Sequence, residues 1–391
     1  MVIGIPKEIM RGENRVAATP ETVAKLAKTG ATVLLETGAG RGSFFTDDEY
    51  REAGAGIVAH AEEIFAKGDL ILKVKEPQFN PTAGKHEVEM MRPGQCLISF
   101  LHPASPQNHE TVRALAAQGV TALTLDSVPR ISRAQPMDAL TSMSTVAGYK
   151  AVLAAANRLP KFFPMVATAV GTIQPAQVLV VGAGVAGLQA LATAKRLGAV
   201  VRAADIRPDA CEQARSLGAQ VVELGVPEEV AVGDGGYAQK LPAEWLEKER
   251  LALAEPAAKA DVIVLTALIP GRRAPVLVTE AMVRAIAPGS AIADVAVDQG
   301  GNCELTEAGQ VVEKHGVSID GTLNIPGSVP VSATWLFANN MYHFFAYLLR
   351  DGKLHVDPDD PVVGPCLVTK DGEVVHRGAL EAMGSVGSGS G

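Results

Sequence analysis

The sequence predicts an α/β protein of two Rossmann-like domains, each with a parallel sheet, linked by long helices. Three observations carry that prediction. Two series of short apolar segments alternate with amphipathic ones, and such alternation builds a mainly parallel sheet with helices on both faces. Two longer helical patterns, at 137–158 and 332–350, follow the two series. A glycine-rich turn, Gly182-Ala183-Gly184-Val185-Ala186-Gly187, stands between a strand pattern and a helix pattern, the context a dinucleotide-binding turn needs.

In the first series, Val2–Ile5, Thr32–Glu36, Leu70–Val74, Cys96–Leu101 and Thr121–Leu125 read as strands. Pro20–Lys28 and Pro106–Gln118 read as helices between them. Met137–Arg158 reads as a connecting helix, with small or apolar residues at Leu140, Met143, Ala147 and Ala151 and only Gly148 interrupting it. In the second series the expected strands are Gln177–Val181, Val200–Ala204, Gln220–Val222, Val262–Thr266, Ala291–Val295 and Val317–Asp320. Order loosens between Glu223 and Lys259, where Val232–Tyr237 (VGDGGY) is glycine-rich and expected to be mobile. Ser332–Arg350 predicts a second long helix that returns to the first domain. Val363–Thr369 and Glu373–His376 read as a hairpin around Lys370-Asp371-Gly372. The expected domains are 1–136 with 331–383, and 137–330, followed by a Gly/Ser-rich, disordered tail at 384–391.

Composition narrows the function classes. Hydrophobic residues make up 47% of 391 and charged residues 20%, which suits a packed core and excludes a disordered chain. A net charge of −8 disfavours nucleic acid as a partner, because phosphate binding needs a basic surface. Cys96, Cys211, Cys303 and Cys366 form no CxxC pair, so neither a zinc site nor a disulfide framework is expected, and the chain reads as cytoplasmic. The start, MVIGIPKEIM, is too short and too charged for a signal peptide. The longest apolar stretch, Val178 to Ala194, is broken by glycines and falls short of the ~20 residues of a membrane helix.

Each glycine of the turn has its own reason. Gly182 permits a tight bend, Gly184 lets the backbone approach a pyrophosphate, and Gly187 lets the helix sit against the strand. Ala183 and Val185 lie between them, where the helix N-terminus offers N–H groups and partial positive charge. Asp205 closes the next strand, 18 residues after Gly187. A carboxylate there accepts from the adenosine ribose hydroxyls and repels a 2′-phosphate, which favours NAD(H). Ile206 follows it, and Arg207 is a counter-signal, since an arginine can pair with a 2′-phosphate.

The segment Pro129–Tyr149 (PRISRAQPMDALTSMSTVAGY), the turn VVGAGVAGLQALATAKRLGA, Thr266–Val276 (TALIPGRRAPV) and GGNC at Gly300–Cys303 together resemble the NAD(H)-binding component of proton-translocating transhydrogenase. The resemblance spans nearly the whole chain, and PRISRAQ is its most specific part. It implies that Arg130, Gln135, Asp138 and Thr141 lie on a loop reaching over NAD(H). An arginine suits the pyrophosphate, and an amide can orient the nicotinamide. A charge at a helix start remains open to Asp138. The resemblance also implies that Gly236 and Tyr237 belong to a loop closing over the nucleotide, and that Leu268 lies against it. Hydride would pass, between defined faces of the two rings, from NADH to NADP+ held on a partner subunit. Gln135 and Asp138 would stand nearest that chemistry. Proton movement would belong to a membrane subunit. The resemblance further implies a homodimer, peripheral on the inner face of a membrane through its partner subunits.

Alanine dehydrogenase is similar too. Arg15 (ENRVA), Lys75 (KVKEP), His102 (FLHPA) and Asp298 (DVAVDQGG) match its pattern, and an arginine, a lysine and a histidine would suit pyruvate reduction. Two features favour the transhydrogenase: PRISRAQPMD stands where the dehydrogenase has a largely apolar loop, and the insertion Leu224–Ala258 has no place in the dehydrogenase pattern. A third reading, an NAD-sensing module without catalysis, predicts binding with no hydride transfer.

Overall fold

The computed structural model describes residues 1–233, 238–269 and 273–384. Gly236, Tyr237 and most of the expected tail lie outside the described residues. The chain divides into two units, Met1–Met143 with Gly327–Gly391, and Ser144–Pro326.

The first unit is built on an eight-stranded sheet in the order Glu373–Val374, Leu367–Lys370, Thr121–Thr124, Cys96–Ser99, Leu70–Leu72, Val2–Ile5, Thr32–Glu36, Ala55–Val58. Six neighbouring strands run parallel. Leu367–Lys370 joins Thr121–Thr124 antiparallel, and Glu373–Val374 closes a hairpin on it. The helix Pro20–Lys28 forms at its expected bounds for visible reasons. Thr19 caps it and exchanges bonds with Thr22, Pro20 opens it, and Lys25 and Lys28 complement its last turn. Its buried face is Thr22, Val23 and Leu26. The strand Ala55–Val58 had no clear sequence signal, being a short edge with a glycine in it. The segment expected as strand from Val363 instead begins with a helical turn, Val363–Cys366. Asp360 is the cause, accepting from the N–H groups of Val362 and Val363 at 2.8 and 3.1 Å. The helix Pro330–Leu348 buries Phe337, Phe344 and Phe345 completely.

The second unit carries a seven-stranded sheet in the order Gln220–Val221, Val200–Ala204, Gln177–Val181, Val262–Leu265, Ala291–Asp294, Val317–Asp320, Val311–Lys314. All neighbours are parallel except the last pair. That antiparallel edge was not foreseen. Its turn is His315-Gly316, both with positive φ, which is the geometry of a two-residue hairpin without the usual Asn-Gly. Both faces of this sheet are buried. Val178 and Val180 join one core cluster, and Leu179 and Val181 the other, as a period of two requires. Among the described residues, no helix is long and apolar enough to cross a membrane.

Candidate functional site

The glycine turn sits at the carboxyl end of Gln177–Val181, on the central strands of the second unit, where open parallel sheets bind ligands. Gly182 has φ +92°, and its N–H donates to Ala204 O at 2.8 Å. The Thr266 hydroxyl donates to Gly182 O at 2.7 Å and pins the turn to the next strand. A Cβ on Gly182 would lie 2.8 Å from Ala267 N. One on Gly187 would overlap Gly182 O. Gly148, on the helix Ala139–Arg158, packs equally tightly: a Cβ there would overlap Ala186 O. Gly184 differs. A Cβ there meets only Arg207 Nη2, at 3.9 Å. Ala183 is buried and Val185 half-buried. Gly184 is the N-cap of the 12-residue helix Val185–Arg196, and no side chain caps it. The turn therefore presents open space above a helix N-terminus with backbone donors to offer, a fit for a pyrophosphate.

Asp205 lies at the end of the adjacent strand. Its Oδ2 accepts from Ala183 N–H at 2.7 Å, which ties the carboxylate to the glycine turn. Arg207 folds back on it through a bidentate pair. Ile206 packs against the apolar cluster that includes Leu224 and Leu253. The helix Ala243–Ala258 closes this end of the unit and brings in Glu249, 6% exposed. Burial pushes the Glu249 carboxyl up to about 7, with Asp205 adding repulsion and Arg250 opposing it. Sequence reading missed Glu249, because a Glu on a charged helix gives no sign of burial.

A raised carboxyl has a fixed consequence for stability. Its contribution is present in full below the unfolded value, near 4.5, and is lost as pH rises through about 7. Glu249→Gln should therefore match the parent near pH 4 and exceed it by about 2–3 kcal/mol at pH 8.5. Denaturant unfolding at the two pH values reads this. A variant no more stable at pH 8.5 would show that Glu249 ionises freely.

Leu268 follows the strand Val262–Leu265 and is 38% exposed. Asn302, from the GGNC segment, holds this stretch of chain. Its side chain accepts from Ala267 N–H at 2.9 Å and donates to Ala267 O and Pro275 O at 2.9 and 2.8 Å. Asp294 holds Asn302 in turn, accepting from the N–H groups of Asn302 and Cys303 and from the Thr306 hydroxyl. The motif is thus a brace for the segment bearing Leu268.

Arg130, Gln135, Asp138 and Thr141 belong to the first unit. The segment Ser132–Met137 is a 3-10 turn whose Ala134 and Met137 are buried, while Arg130 and Gln135 are exposed. Asn340 donates to Pro136 O at 2.8 Å and anchors the turn. Gln135 is thereby presented outward by a fixed base. Asp138 caps the helix that follows, accepting from the Thr141 N–H at 2.8 Å and its hydroxyl at 2.6 Å.

The first unit also gathers Arg15, Lys75 and His102. Arg15 is 2% exposed and pairs with Glu13. Against its burial, Glu13 is held below its usual range by Arg15, and Lys75 acts in the same direction. His102 has φ +44°, and its Nδ1 lies 2.8 Å from Asp126 Oδ1. Burial opposes charge on His102, but Asp126 outweighs it and the pKa rises, with Lys75 a smaller opposing influence. Despite its own burial, Asp126 is held at about 2, chiefly by His102. Asp298 belongs to the second unit, exposed on the turn Val295–Gln299. Among the described residues, no group of His, Cys, Asp or Glu could hold a metal ion.

Two family models match the chain: "Alanine dehydrogenase/PNT, N-terminal domain" over residues 4–147 and "Alanine dehydrogenase/PNT, C-terminal domain" over 151–377. The chain is 45% identical over 389 residues to the first portion of the NAD(P) transhydrogenase alpha subunit of Rhodospirillum rubrum, a separate chain in that organism, covering 98% of this chain and 100% of that one. It is 33% identical to the alanine dehydrogenase of Bacillus subtilis, covering 98% and 95%. Among solved structures, transhydrogenase from Sinorhizobium meliloti matches with a TM-score of 0.83 at 41% identity, covering 96% of this chain and 100% of that one.

Proposed function

The chain belongs to the alanine dehydrogenase/PNT family, and we propose that within it this chain is the NAD(H)-binding subunit of a proton-translocating NAD(P) transhydrogenase. The observation that carries the reading is the open face at Gly184, between an uncapped helix N-terminus and Asp205. Full-length identity is higher to the transhydrogenase subunit than to the dehydrogenase.

NADH bound here supplies a hydride from C4 of its nicotinamide to NADP+ held by a partner subunit. Gly184 admits the pyrophosphate to the helix N-terminus, and Arg130 pairs with it. Asp205 accepts from the adenosine ribose, with Ile206 and Arg207 beside it. Leu268, braced by Asn302, meets the nucleotide face. Gln135 orients the nicotinamide end, and Asp138 and Thr141 fix the loop that carries it. No residue of this chain has to give or take a proton. Its work is alignment, which is worth as much as ~7–11 kcal/mol of a barrier.

Proton translocation falls to a membrane subunit, to which this chain attaches peripherally on the cytoplasmic side. A second copy of the chain is the further partner. The hairpin Val166–Thr168 with Gly171–Ile173 supports it, since Val170 is fully exposed and Met165 and Ile173 are largely so. Apolar side chains clustered on an exposed arm are the kind of surface that meets a partner.

Arg15, Lys75 and His102, gathered in one unit, favour a second reading, NADH-dependent reductive amination of pyruvate. The deciding measurement is NADH oxidation with two acceptor sets, pyruvate plus ammonium, and an NADP+-loaded partner domain. Turnover with the nucleotide partner alone is expected. Turnover with pyruvate and ammonium would replace the first reading with the second.

A further inference from the structure

Arg207 follows Asp205 by two residues and folds straight back onto it. Its backbone N–H and Nε donate to Oδ1 at 2.8 and 3.0 Å, and its Nη2 donates to Oδ2 at 2.9 Å. Ala183 N–H supplies a fourth bond, to Oδ2 at 2.7 Å. A carboxylate offers about four lone-pair sites, so the set is full. The guanidinium is largely buried and its charge is neutralised where it stands. The Asp205 carboxylate also raises the Arg207 pKa further, so the arginine never sheds its charge.

Arginine is the side chain best shaped for a phosphate monoester, through its bidentate fork. The ribose 2′ position is where the two nicotinamide dinucleotides differ. Resting on the NAD(H) reading above, we propose that Asp205 sets nucleotide choice by sequestering Arg207, a latent receptor for a 2′-phosphate, as well as by meeting the ribose itself. A ribose hydroxyl can take one acceptor position from the guanidinium while the remaining bonds hold the pair. A 2′-phosphate cannot. It must strip Arg207 from Asp205 and then face the bare carboxylate. Cutting the pair on its acidic side frees the arginine and turns rejection into binding.

The test titrates NADH and NADPH into the parent chain, Asp205→Asn, Arg207→Ala and the double variant, read by reduced-nicotinamide fluorescence. The parent should bind NADH and reject NADPH. Asp205→Asn should gain about tenfold or more for NADPH. The double variant should lose that gain. A gain that survives in the double variant overturns the proposal, as does a folded Asp205→Asn with no gain. Should Asp205→Asn fail to fold, Arg207→Ala decides. It should still reject NADPH and bind NADH at least as tightly as the parent, because the guanidinium no longer competes. NADH binding weakened by more than about threefold would mean that Arg207 serves NADH directly, and the proposal falls. A parent chain that binds no NADH removes the NAD(H) reading itself. A parent that binds NADH, with no gain in Asp205→Asn, removes only the sequestration.

Discussion

Gly184→Val is expected to abolish measurable NADH binding while leaving the fold intact. Gly187→Ala, a smaller change three residues away, is expected to damage the fold itself. The two glycines share a turn, but their surroundings are opposite. A Cβ at Gly184 enters open space, with Arg207 Nη2 as its nearest neighbour at 3.9 Å. The φ of −75° there suits any residue. The valine therefore costs the protein little and occupies the volume where a pyrophosphate approaches the backbone. A loss of more than about 100-fold in NADH affinity should result, since the backbone donors are no longer reachable. A Cβ at Gly187 collides with Gly182 O, and both atoms belong to fixed backbone. Relief requires the helix Val185–Arg196 to move off its strand, at a cost of about 3 kcal/mol or more. Thermal melting separates the cases. Gly184→Val should melt with the parent and Gly187→Ala well below it. Undiminished NADH binding by Gly184→Val would sink the assignment of the phosphate site.

Gln135→Ala should slow hydride transfer by on the order of 100-fold while changing the NADH dissociation constant by less than about threefold. The base of the turn explains why the damage stays local. Ala134 and Met137 remain buried, and Asn340 still holds Pro136 O, so the segment keeps its shape. What is lost is an exposed amide whose proposed role is to set the angle of the nicotinamide ring. A misoriented ring is felt at the transition state more than on binding. Single-turnover transfer to an NADP+-loaded partner domain, paired with equilibrium binding, measures both quantities. An equal loss in rate and affinity would make Gln135 an ordinary binding contact.

Much of the fold was legible because its signals are local. The helix Pro20–Lys28 announces itself through Thr19, Pro20 and a terminal pair of lysines within ten residues. The strand–glycine–helix passage from Gln177 to Arg196 is equally self-contained. The features that escaped depend on partners distant in sequence. Asn302 braces Ala267 from 35 residues away. Glu249 acquires its raised pKa only because the fold buries it and sets it near Asp205. Nothing near either residue in the sequence shows the environment it will enter. The edge strands Ala55–Val58 and Val311–Lys314 failed for a related reason: half of each faces solvent, so their apolar pattern is thin. Asp138 shows a motif residue with a local role as well, since its carboxylate visibly caps a helix.

The order in which the chain leaves the ribosome matters for the first unit. Its residues up to Met143 emerge early, yet they lack two of their own elements. The helix Pro330–Leu348 supplies Phe337, whose ring lies 5.3 Å from that of Phe100. The strand Leu367–Lys370 completes the pairing of Thr121–Thr124. Between these halves the whole second unit is synthesised, and it contains every strand of its own sheet. At translation speeds of about 5–20 residues per second, the first unit waits roughly ten seconds or more with an unpaired strand edge and an uncovered aromatic surface. The second unit can close during that interval. Biogenesis thus runs from the inside of the sequence outward, and the nascent first unit is the stage at which a chaperone has most to hold.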